Sequence, residues 1–224
     1  MFECECIKKT FLEHEYNIHN IICLKDLKDL IISINLFQLI EPQKSHTQNV
    51  DWVATNNSFF KSTAINEFNI MRKNDYNVQE LVGSDDGVEK EIYYYHERSA
   101  INTISKDLAE KRQTKPREII KKKTKSLNKI IENSPYEKKK INFMSIDIEN
   151  YEYEALKNFD FKKYKIDLIV TECTDMSQNK LETYTQSLDY ITKTNLYRLL
   201  KNNDYKMINW VNSDLVFARN NLEI

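Results

Sequence analysis

Two continuous apolar segments of strand length constrain the fold of this chain more than any other feature. The first is INFMSIDI at residues 141–148, and the second is KIDLIVTEC at residues 165–173. Acidic residues stand at the end of each segment, and a short helical pattern, EYEALKNF, separates them. An uninterrupted apolar strand is typical of a central parallel strand that is covered on both faces. We therefore predict an α/β fold, in which the strand ending at Asp147 is central and parallel to the strand ending at Glu172.

The flanking segments continue the alternation of helices and strands. SLNKIIENSP at residues 126–135 has apolar residues at helical spacing, and Ser126 stands at the position of an N-cap. A second helical pattern covers residues 188–203. After it, YKMINWV and SDLVFARN predict an antiparallel pair at the end of the chain.

Three further predictions concern the segments upstream of residue 126. NVQELVG at 77–83 and EIYYYHE at 91–97 predict two strands, which the turn signal SDDG joins into a hairpin. The charged stretch at 105–125, with its KKKTK run, is interpreted as a solvated loop or an exposed helix face. Apolar runs at 17–24 and 31–40 fit a strand, a short helix and a second strand.

Composition excludes several classes of protein. The chain has 224 residues, of which 41% are hydrophobic, so it is long enough to bury a core and is not wholly disordered. Its 33 basic and 34 acidic residues give no electrostatic reason to expect nucleic acid or a membrane surface as a partner. With only two glycines, Gly83 and Gly87, the chain cannot contain a glycine-rich phosphate loop or a G-x-G-x-x-G site. No apolar run is long enough to span a bilayer, and the start of the chain does not resemble a signal peptide, so we expect a cytoplasmic protein.

Cysteine and histidine positions predict no metal site. Cys4 and Cys6 form an isolated C-x-C pair, and the four histidines are scattered along the chain rather than set at zinc-ligand spacing. The cysteines are interpreted as reduced thiols.

Acidic residues follow three of the predicted strands. They are Glu41 after LFQLI, Asp147 and Glu149 after INFMSI, and Glu172 after IDLIVT. Ligands of open α/β sheets bind at the carboxyl ends of the strands, where a carboxylate can accept a ribose hydroxyl or neutralise a cation. Each acid could instead cap the following helix. Three strands that end in the same way favour a ligand site.

Residues 122–172 contain three motifs in order. The first, which we call the lead-in, is a helix start of the form T-x-S-L-N-x-I-L, and it is matched by Thr124, Ser126, Leu127, Asn128 and Ile130. The second is an acidic motif of the form D-V-E-G-x-E-x-x-x-L, matched by Asp147, Ile148, Glu149, Glu152 and Leu156, and the third is a strand end of the form I-E, matched by Glu172. Together these motifs resemble the core of the FkbM-type methyltransferase family. SAINTISKDLAEKR at 99–112 is similar to the segment that precedes the lead-in. We therefore predict one methyltransferase-like domain over residues 1–224, with a family-like core at 77–220 and a divergent N-terminal part at 1–75.

The resemblance implies a Rossmann-like methyltransferase sheet, mostly parallel, with a C-terminal antiparallel hairpin. It also implies S-adenosylmethionine as methyl donor and a hydroxyl on a sugar or glycosylated metabolite as acceptor. The implied catalytic candidates are Asp147 and Glu149, and the implied donor-binding residues are Glu41, Asp147, Asn150 and Glu172.

This chain departs from the family pattern at two places. Asn150 stands where members carry glycine, and the turn is expected to survive because asparagine tolerates the left-handed conformation. The family's glycine-rich turn after its first strand would fall near Cys23, where there is no glycine.

Three hypotheses for function follow. The first is an S-adenosylmethionine-dependent O-methyltransferase, in which Asp147, Glu149 or His96 takes the hydroxyl proton. The second is a degenerate, non-catalytic member that keeps the fold as a binding or scaffold module, as the missing glycine turn suggests. The third is a nucleotide-sugar enzyme with Asp147-Ile148-Glu149 as an acidic metal motif, which a requirement for a divalent cation would reveal. The intact acidic set favours the first hypothesis, and the oligomeric state is not predicted.

Overall fold

The structure is a computed structural model, and it describes residues 30–35, 51–56, 69–70, 75–95, 102–175 and 187–222. Two of these ranges, 30–35 and 51–56, are described by their backbone alone. The strands are β1 (Leu30–Asn35), β2 (Asp51–Asn56), β3 (Tyr76–Val78), β4 (Leu81–Gly83), β5 (Glu89–Tyr94), β6 (Glu118–Ser126), β7 (Ile141–Asp147), β8 (Leu168–Glu172), β9 (Tyr205–Val211) and β10 (Asp214–Arg219). The helices are α1 (Lys106–Lys111), α2 (Leu127–Glu132), α3 (Glu152–Leu156), α4 (Phe161–Tyr164), α5 (Leu188–Lys193) and α6 (Asn195–Asn202).

A seven-stranded sheet has the order β3-β2-β1-β7-β8-β10-β9. Its first five strands pair in parallel, and β10 pairs antiparallel with both β8 and β9. The prediction for the two apolar segments is confirmed, since β7 is the middle strand and runs parallel to β8. The expectation of an α/β protein is likewise confirmed.

The strand register brings three carboxyl ends to one edge of the sheet. Asn35 at the end of β1 pairs with Asp147 at the end of β7. One step further across, Ile146 of β7 pairs with Thr171 of β8, so Glu172 also lies at this edge. Helices α3 and α4 form the crossover between β7 and β8, and α3 begins directly beside the same edge.

A second, smaller sheet has the order β4-β6-β5. The predicted hairpin is wrong, because β6 lies between β4 and β5 and pairs with both. The interpretation of the charged stretch as loop or helix face is also wrong for residues 118–125, which form most of β6. Lys121 and Lys123 are exposed, whereas Lys122 is half-buried and Thr124 is buried on the other face, so only part of the lysine run lies in water. Gly83 is required here, because a Cβ at this position would lie 2.6 Å from Thr124 Cγ2.

Most buried apolar side chains form one cluster, which joins the seven-stranded sheet to its helices. Met144 and Ile146 of β7 and Phe217 of β10 are essentially inaccessible to solvent. The predicted N-cap of α2 is confirmed, since Ser126 Oγ accepts a hydrogen bond from Lys129 N–H at 3.2 Å. The helical segment predicted at 188–203 is two helices, because Thr194 ends α5 and caps α6.

The predictions for the start of the chain are tested only in part. β1 covers the first half of the second apolar run and begins one residue before it, whereas residues 17–24 and 36–40 lie outside the described residues. The division of residues 1–224 into a core and a divergent part therefore stays a prediction. Within the described ranges, no helix is long and apolar enough to cross a membrane.

Candidate functional site

Four carboxyl groups meet at the carboxyl edge of the central strands, and we call them the acid cluster. They are Asp147 at the end of β7, Glu149 in the following turn, Glu152 at the start of α3 and Glu172 at the end of β8. One carboxylate oxygen from each of Asp147, Glu152 and Glu172 lies within 4.8 Å of the other two. The structure thus brings together three residues that the sequence singled out, and it adds Glu152, which matched the family motif without an assigned role.

The turn between β7 and α3 is built from two successive residues in the left-handed conformation. The φ angle is 57° at Glu149 and 68° at Asn150. The expectation that Asn150 takes the left-handed conformation of a glycine is therefore confirmed. The reversal places Glu152 beneath the turn, where its Oε1 accepts a hydrogen bond from Ile148 N–H at 2.8 Å.

Asp147 is not a helix cap in this structure. The N-cap position of α3 is Tyr151, and no side chain accepts a capping hydrogen bond there. The structure therefore does not support the capping alternative for this acid. The carboxyl group of Asp147 instead accepts hydrogen bonds from Glu172 and from Glu149 N–H.

The segment at 102–112 holds Glu149 from two sides. Thr103 Oγ1 donates a hydrogen bond to the carbonyl oxygen of Glu149 at 2.9 Å. The guanidinium group of Arg112 pairs with Glu149 Oε2 at 2.5 Å and lies 5.7 Å from the ring centre of Tyr95. These contacts stabilise a backbone conformation that is unfavourable for glutamate. Sequence analysis missed Thr103 and Arg112, although both lie in the segment at 99–112 that resembled the family.

Burial raises the pKa of every carboxyl group in the acid cluster. It raises the pKa of Glu152 to about 8, against the opposing effect of the Ile148 N–H bond. It raises the pKa of Glu149 to about 7, with Arg112 opposing the shift and Asp147 adding to it. The pKa of Asp147 is raised by burial and lowered in part by hydrogen bonds from Glu172 and from Glu149 N–H. Burial and then the neighbouring acids Asp147 and Glu152 hold the pKa of Glu172 well above its usual range.

A second buried acid lies at the opposite, amino ends of the strands, and it has a full set of partners. Asp167 precedes β8 and accepts hydrogen bonds from Arg219 at 2.7 Å and Asn142 at 2.9 Å, with Lys140 Nζ 2.6 Å away. In the acid cluster, by contrast, Glu172 Oε2 is buried without a hydrogen-bond partner. The cluster therefore has unused acceptor capacity.

The lead-in residues have structural roles away from the acid cluster. Thr124 Oγ1 donates to the carbonyl oxygen of Asp85 at 2.6 Å and fixes the turn after β4. Asn128 donates to the carbonyl of Asn158 at 2.8 Å and accepts from Asp160 N–H at 3.0 Å. These hydrogen bonds join the lead-in to the turn after β4 and to the loop between α3 and α4.

Glu41, Cys23 and His96 lie outside the described residues. The role of Glu41 in donor binding and that of His96 as a base therefore stay predictions. The described strand that comes before Glu41 in the chain is β1, which is the direct neighbour of β7.

The fold and the acid cluster together define a class of protein. This is an α/β domain whose parallel strands carry acceptor groups at their carboxyl edge, the position at which such sheets bind ligands. Its sequence matches the family described as Methyltransferase FkbM domain over residues 33–207, which is more than half of the chain. The chain belongs to the FkbM methyltransferase domain family.

The matched range contains the whole acid cluster together with Thr103 and Arg112. It begins within β1, so Cys23, where the family's glycine turn was expected, lies before it. Comparisons with curated proteins and with solved structures gave no match.

Proposed function

We propose that this protein is an S-adenosylmethionine-dependent methyltransferase that acts on a hydroxyl group of a sugar or glycosylated metabolite in the cytoplasm. Membership of a methyltransferase family supports the reaction class. The observation that carries the proposal is the convergence of Asp147, Glu149 and Glu172 at the carboxyl edge of the central strands. We assign the seven-stranded sheet, with its C-terminal antiparallel pair, to the Rossmann-like methyltransferase type on the same grounds.

The acid cluster fits the chemistry of the proposed donor. S-adenosylmethionine carries positively charged sulfonium and ammonium groups and ribose hydroxyls, all of which suit carboxylate acceptors. The buried, unpartnered Glu172 Oε2 is one such acceptor. Asp147, Asn150 and Glu172, together with Glu41, would hold the donor, and when bound it supplies an electrophilic methyl group.

The chain's own residues would position the acceptor and remove its proton. Asp147 or Glu149 would accept the hydroxyl proton as the new oxygen–carbon bond forms. Arg112 and Thr103 hold Glu149 in place at its side chain and its carbonyl group. Orientation of the reacting groups supplies most of the rate enhancement in such a transfer.

One feature of the chain supports a second function, that of a non-catalytic member which keeps the fold for binding or scaffolding. With Gly83 and Gly87 as its only glycines, the chain has no glycine near Cys23, where the family's turn would bring the backbone close to the donor. If this alternative is correct, the protein has no affinity for S-adenosylmethionine.

The Asp147→Ala variant tests the proposal. We expect it to bind S-adenosylhomocysteine about ten- to hundredfold more weakly than the wild type, because a buried charged hydrogen-bond acceptor is lost. Its melting temperature should stay close to that of the wild type, since Asp147 caps no helix. The loss of its hydrogen bond from Glu149 N–H is offset by weaker repulsion among the neighbouring acids. Calorimetric titration and a thermal melt on the same samples measure both quantities.

Asp189→Ala is the matched control, because Asp189 is an exposed acid on α5 that forms an ion pair with Lys193 of the same helix. It should change neither quantity. Equal affinity of Asp147→Ala and the wild type would refute the role of Asp147. A wild type that shows no affinity at about millimolar ligand would refute the methyltransferase proposal and favour the non-catalytic alternative.

A further inference from the structure

Three carboxyl groups converge on one point from three different elements. Asp147 comes from β7, Glu152 from α3 and Glu172 from β8, and one oxygen of each lies within 4.8 Å of the others. Two oxygens on opposite sides of a cation are about 4.6–5.2 Å apart for Ca²⁺ and about 4.0–4.2 Å apart for Mg²⁺. The three oxygens are therefore close enough to surround a Ca²⁺ ion as they stand, and a smaller ion after a slight closing of the side chains.

Among the described residues, no lysine or arginine side chain forms an ion pair with these three carboxyl groups. Arg112, the cation that reaches the acid cluster there, pairs with Glu149. Asp167, a buried acid at the amino end of β8, is by contrast paired with both Arg219 and Lys140. Buried carboxylates are stable when they are paired with a cation, protonated or bound to a metal.

Two details indicate that the three groups are held ready for a ligand. Glu152 is 3% exposed, and its Oε1 is fixed by the hydrogen bond from Ile148 N–H, which orients the carboxylate as supporting hydrogen bonds orient metal ligands. Glu172 Oε2 is buried and has no hydrogen-bond partner. An acceptor in that state lacks the donor or cation that would satisfy it.

We infer that Asp147, Glu152 and Glu172 bind one divalent cation of the hard type, Mg²⁺, Mn²⁺ or Ca²⁺. An all-carboxylate ligand set suits these ions, whereas zinc and copper favour nitrogen and sulfur ligands. Three protein ligands leave coordination positions for water or for a hydroxyl oxygen of an acceptor. The cation site goes beyond the proposed methyl transfer and does not depend on it. Each carboxylate has several lone pairs, so Asp147 and Glu172 can contact a cation and another ligand together.

Titration of the full chain with Mn²⁺, followed by the electron paramagnetic resonance signal of the free ion, tests the site in the absence of any donor. We expect one bound Mn²⁺ per chain, displaced by Mg²⁺ and by Ca²⁺. Glu172→Gln and Glu152→Gln should each weaken binding about 10- to 100-fold, a loss that even supporting groups of metal sites cause. Glutamine at position 152 keeps an oxygen for Ile148 N–H, and circular dichroism establishes that both variants are folded.

Glu154→Gln is the matched control for these variants. Glu154 lies on the same helix as Glu152 but forms a partly exposed ion pair with Lys157, so its replacement should leave Mn²⁺ affinity unchanged. No binding at about 10 mM Mn²⁺, above the weakest range of carboxylate sites, would overturn the inference. Wild-type affinity in both Glu172→Gln and Glu152→Gln would overturn it as well, and a proton shared by Asp147 and Glu172 would then explain their neutralisation.

Calorimetry with S-adenosylhomocysteine, with and without Mn²⁺, separates this inference from the proposed function. Cation binding without any donor binding would support the site and refute the methyltransferase proposal. Donor binding by a chain that binds no cation would overturn the site alone.

Discussion

At the scale of single residues, two φ angles determine the geometry of the site. Glu149 and Asn150 are both left-handed, and this sharp turn directs Glu152 back beneath the end of β7. Asparagine adopts this conformation at little cost, while glutamate does so only when its surroundings hold it. Thr103 and Arg112 provide those contacts. The left-handed conformation of Glu149 is therefore stabilised by a segment more than thirty residues away along the chain.

Substitutions at Asn150 test the importance of this conformation. Asn150→Gly should change the free energy of unfolding by less than about 0.5 kcal/mol, because glycine adopts positive φ freely. Asn150→Val should lower it by about 1–2 kcal/mol, because a β-branched residue is strained at a φ of 68°. Urea denaturation measures both changes. Asn195→Val, at an exposed helical position with ordinary φ, is the control, and equal stability of the two valine variants would contradict the role of φ.

At the scale of elements, acids lie at both ends of the β7–β8 pair, with Asp167 before β8 at one end and the acid cluster at the other. At the amino edge, Asp167 connects the strands to β10 through Arg219 and to the start of β7 through Asn142. At the carboxyl edge, the acid cluster has Arg112 beside Glu149 and an unpartnered oxygen on Glu172. The acid at the amino edge is thus paired with other side chains, which stabilises the fold. The carboxyl edge keeps an acceptor oxygen available for a ligand.

Asp167→Ala should lower the free energy of unfolding by about 2–3 kcal/mol, because several charge-assisted hydrogen bonds to a buried carboxylate are lost together. The value lies at the low end for a buried pair, since Lys140 and Arg219 are 51% and 27% exposed and can regain water. Chemical denaturation measures the loss. Asp189→Ala, which breaks an exposed pair with Lys193, should cost less than about 0.5 kcal/mol. A loss at Asp167 no larger than at Asp189 would show that the amino-edge network contributes nothing to stability.

At the scale of the whole molecule, the C-terminal pair completes the sheet. β10 lies between β8 and β9, so the last described strand covers the edge of β8. Phe217 of β10 is fully buried in the main hydrophobic cluster, and its ring lies 5.9 Å from that of Tyr197 on α6. The end of the chain thus joins the central strands to a helix.

Phe217→Ala should therefore destabilise the whole molecule, by about 3–5 kcal/mol, through lost burial and the cavity left behind. That is a large part of the roughly 5–15 kcal/mol that stabilises a typical domain. Thermal and urea unfolding, followed by circular dichroism, measure the effect. Leu188→Ala removes a side chain that is 54% exposed and should change little. A small effect at Phe217 would mean that the C-terminal pair adds little to the core.

The sequence by itself determined the features that depend on neighbouring residues. The continuous apolar runs identified β7 and β8 as buried parallel strands, because burial on both faces requires apolar side chains at successive positions. The cap at Ser126 likewise follows from a local preference of the backbone, and the left-handed Asn150 follows from the glycine that the family pattern has at that position. The family was recognisable mainly from the motifs at residues 122–172, which lie within the matched range.

Only the tertiary structure decided which distant segments meet. A run of lysines is exposed in a loop, on a helix face or on one side of a strand, so the sequence could not show that β6 lies between β4 and β5. Arg112 reaches Glu149 across 37 positions of the chain, and Glu172 joins Glu152 and Asp147 only because β7 and β8 are adjacent. Such contacts depend on strand order and register, which long-range packing sets and local residue patterns do not encode.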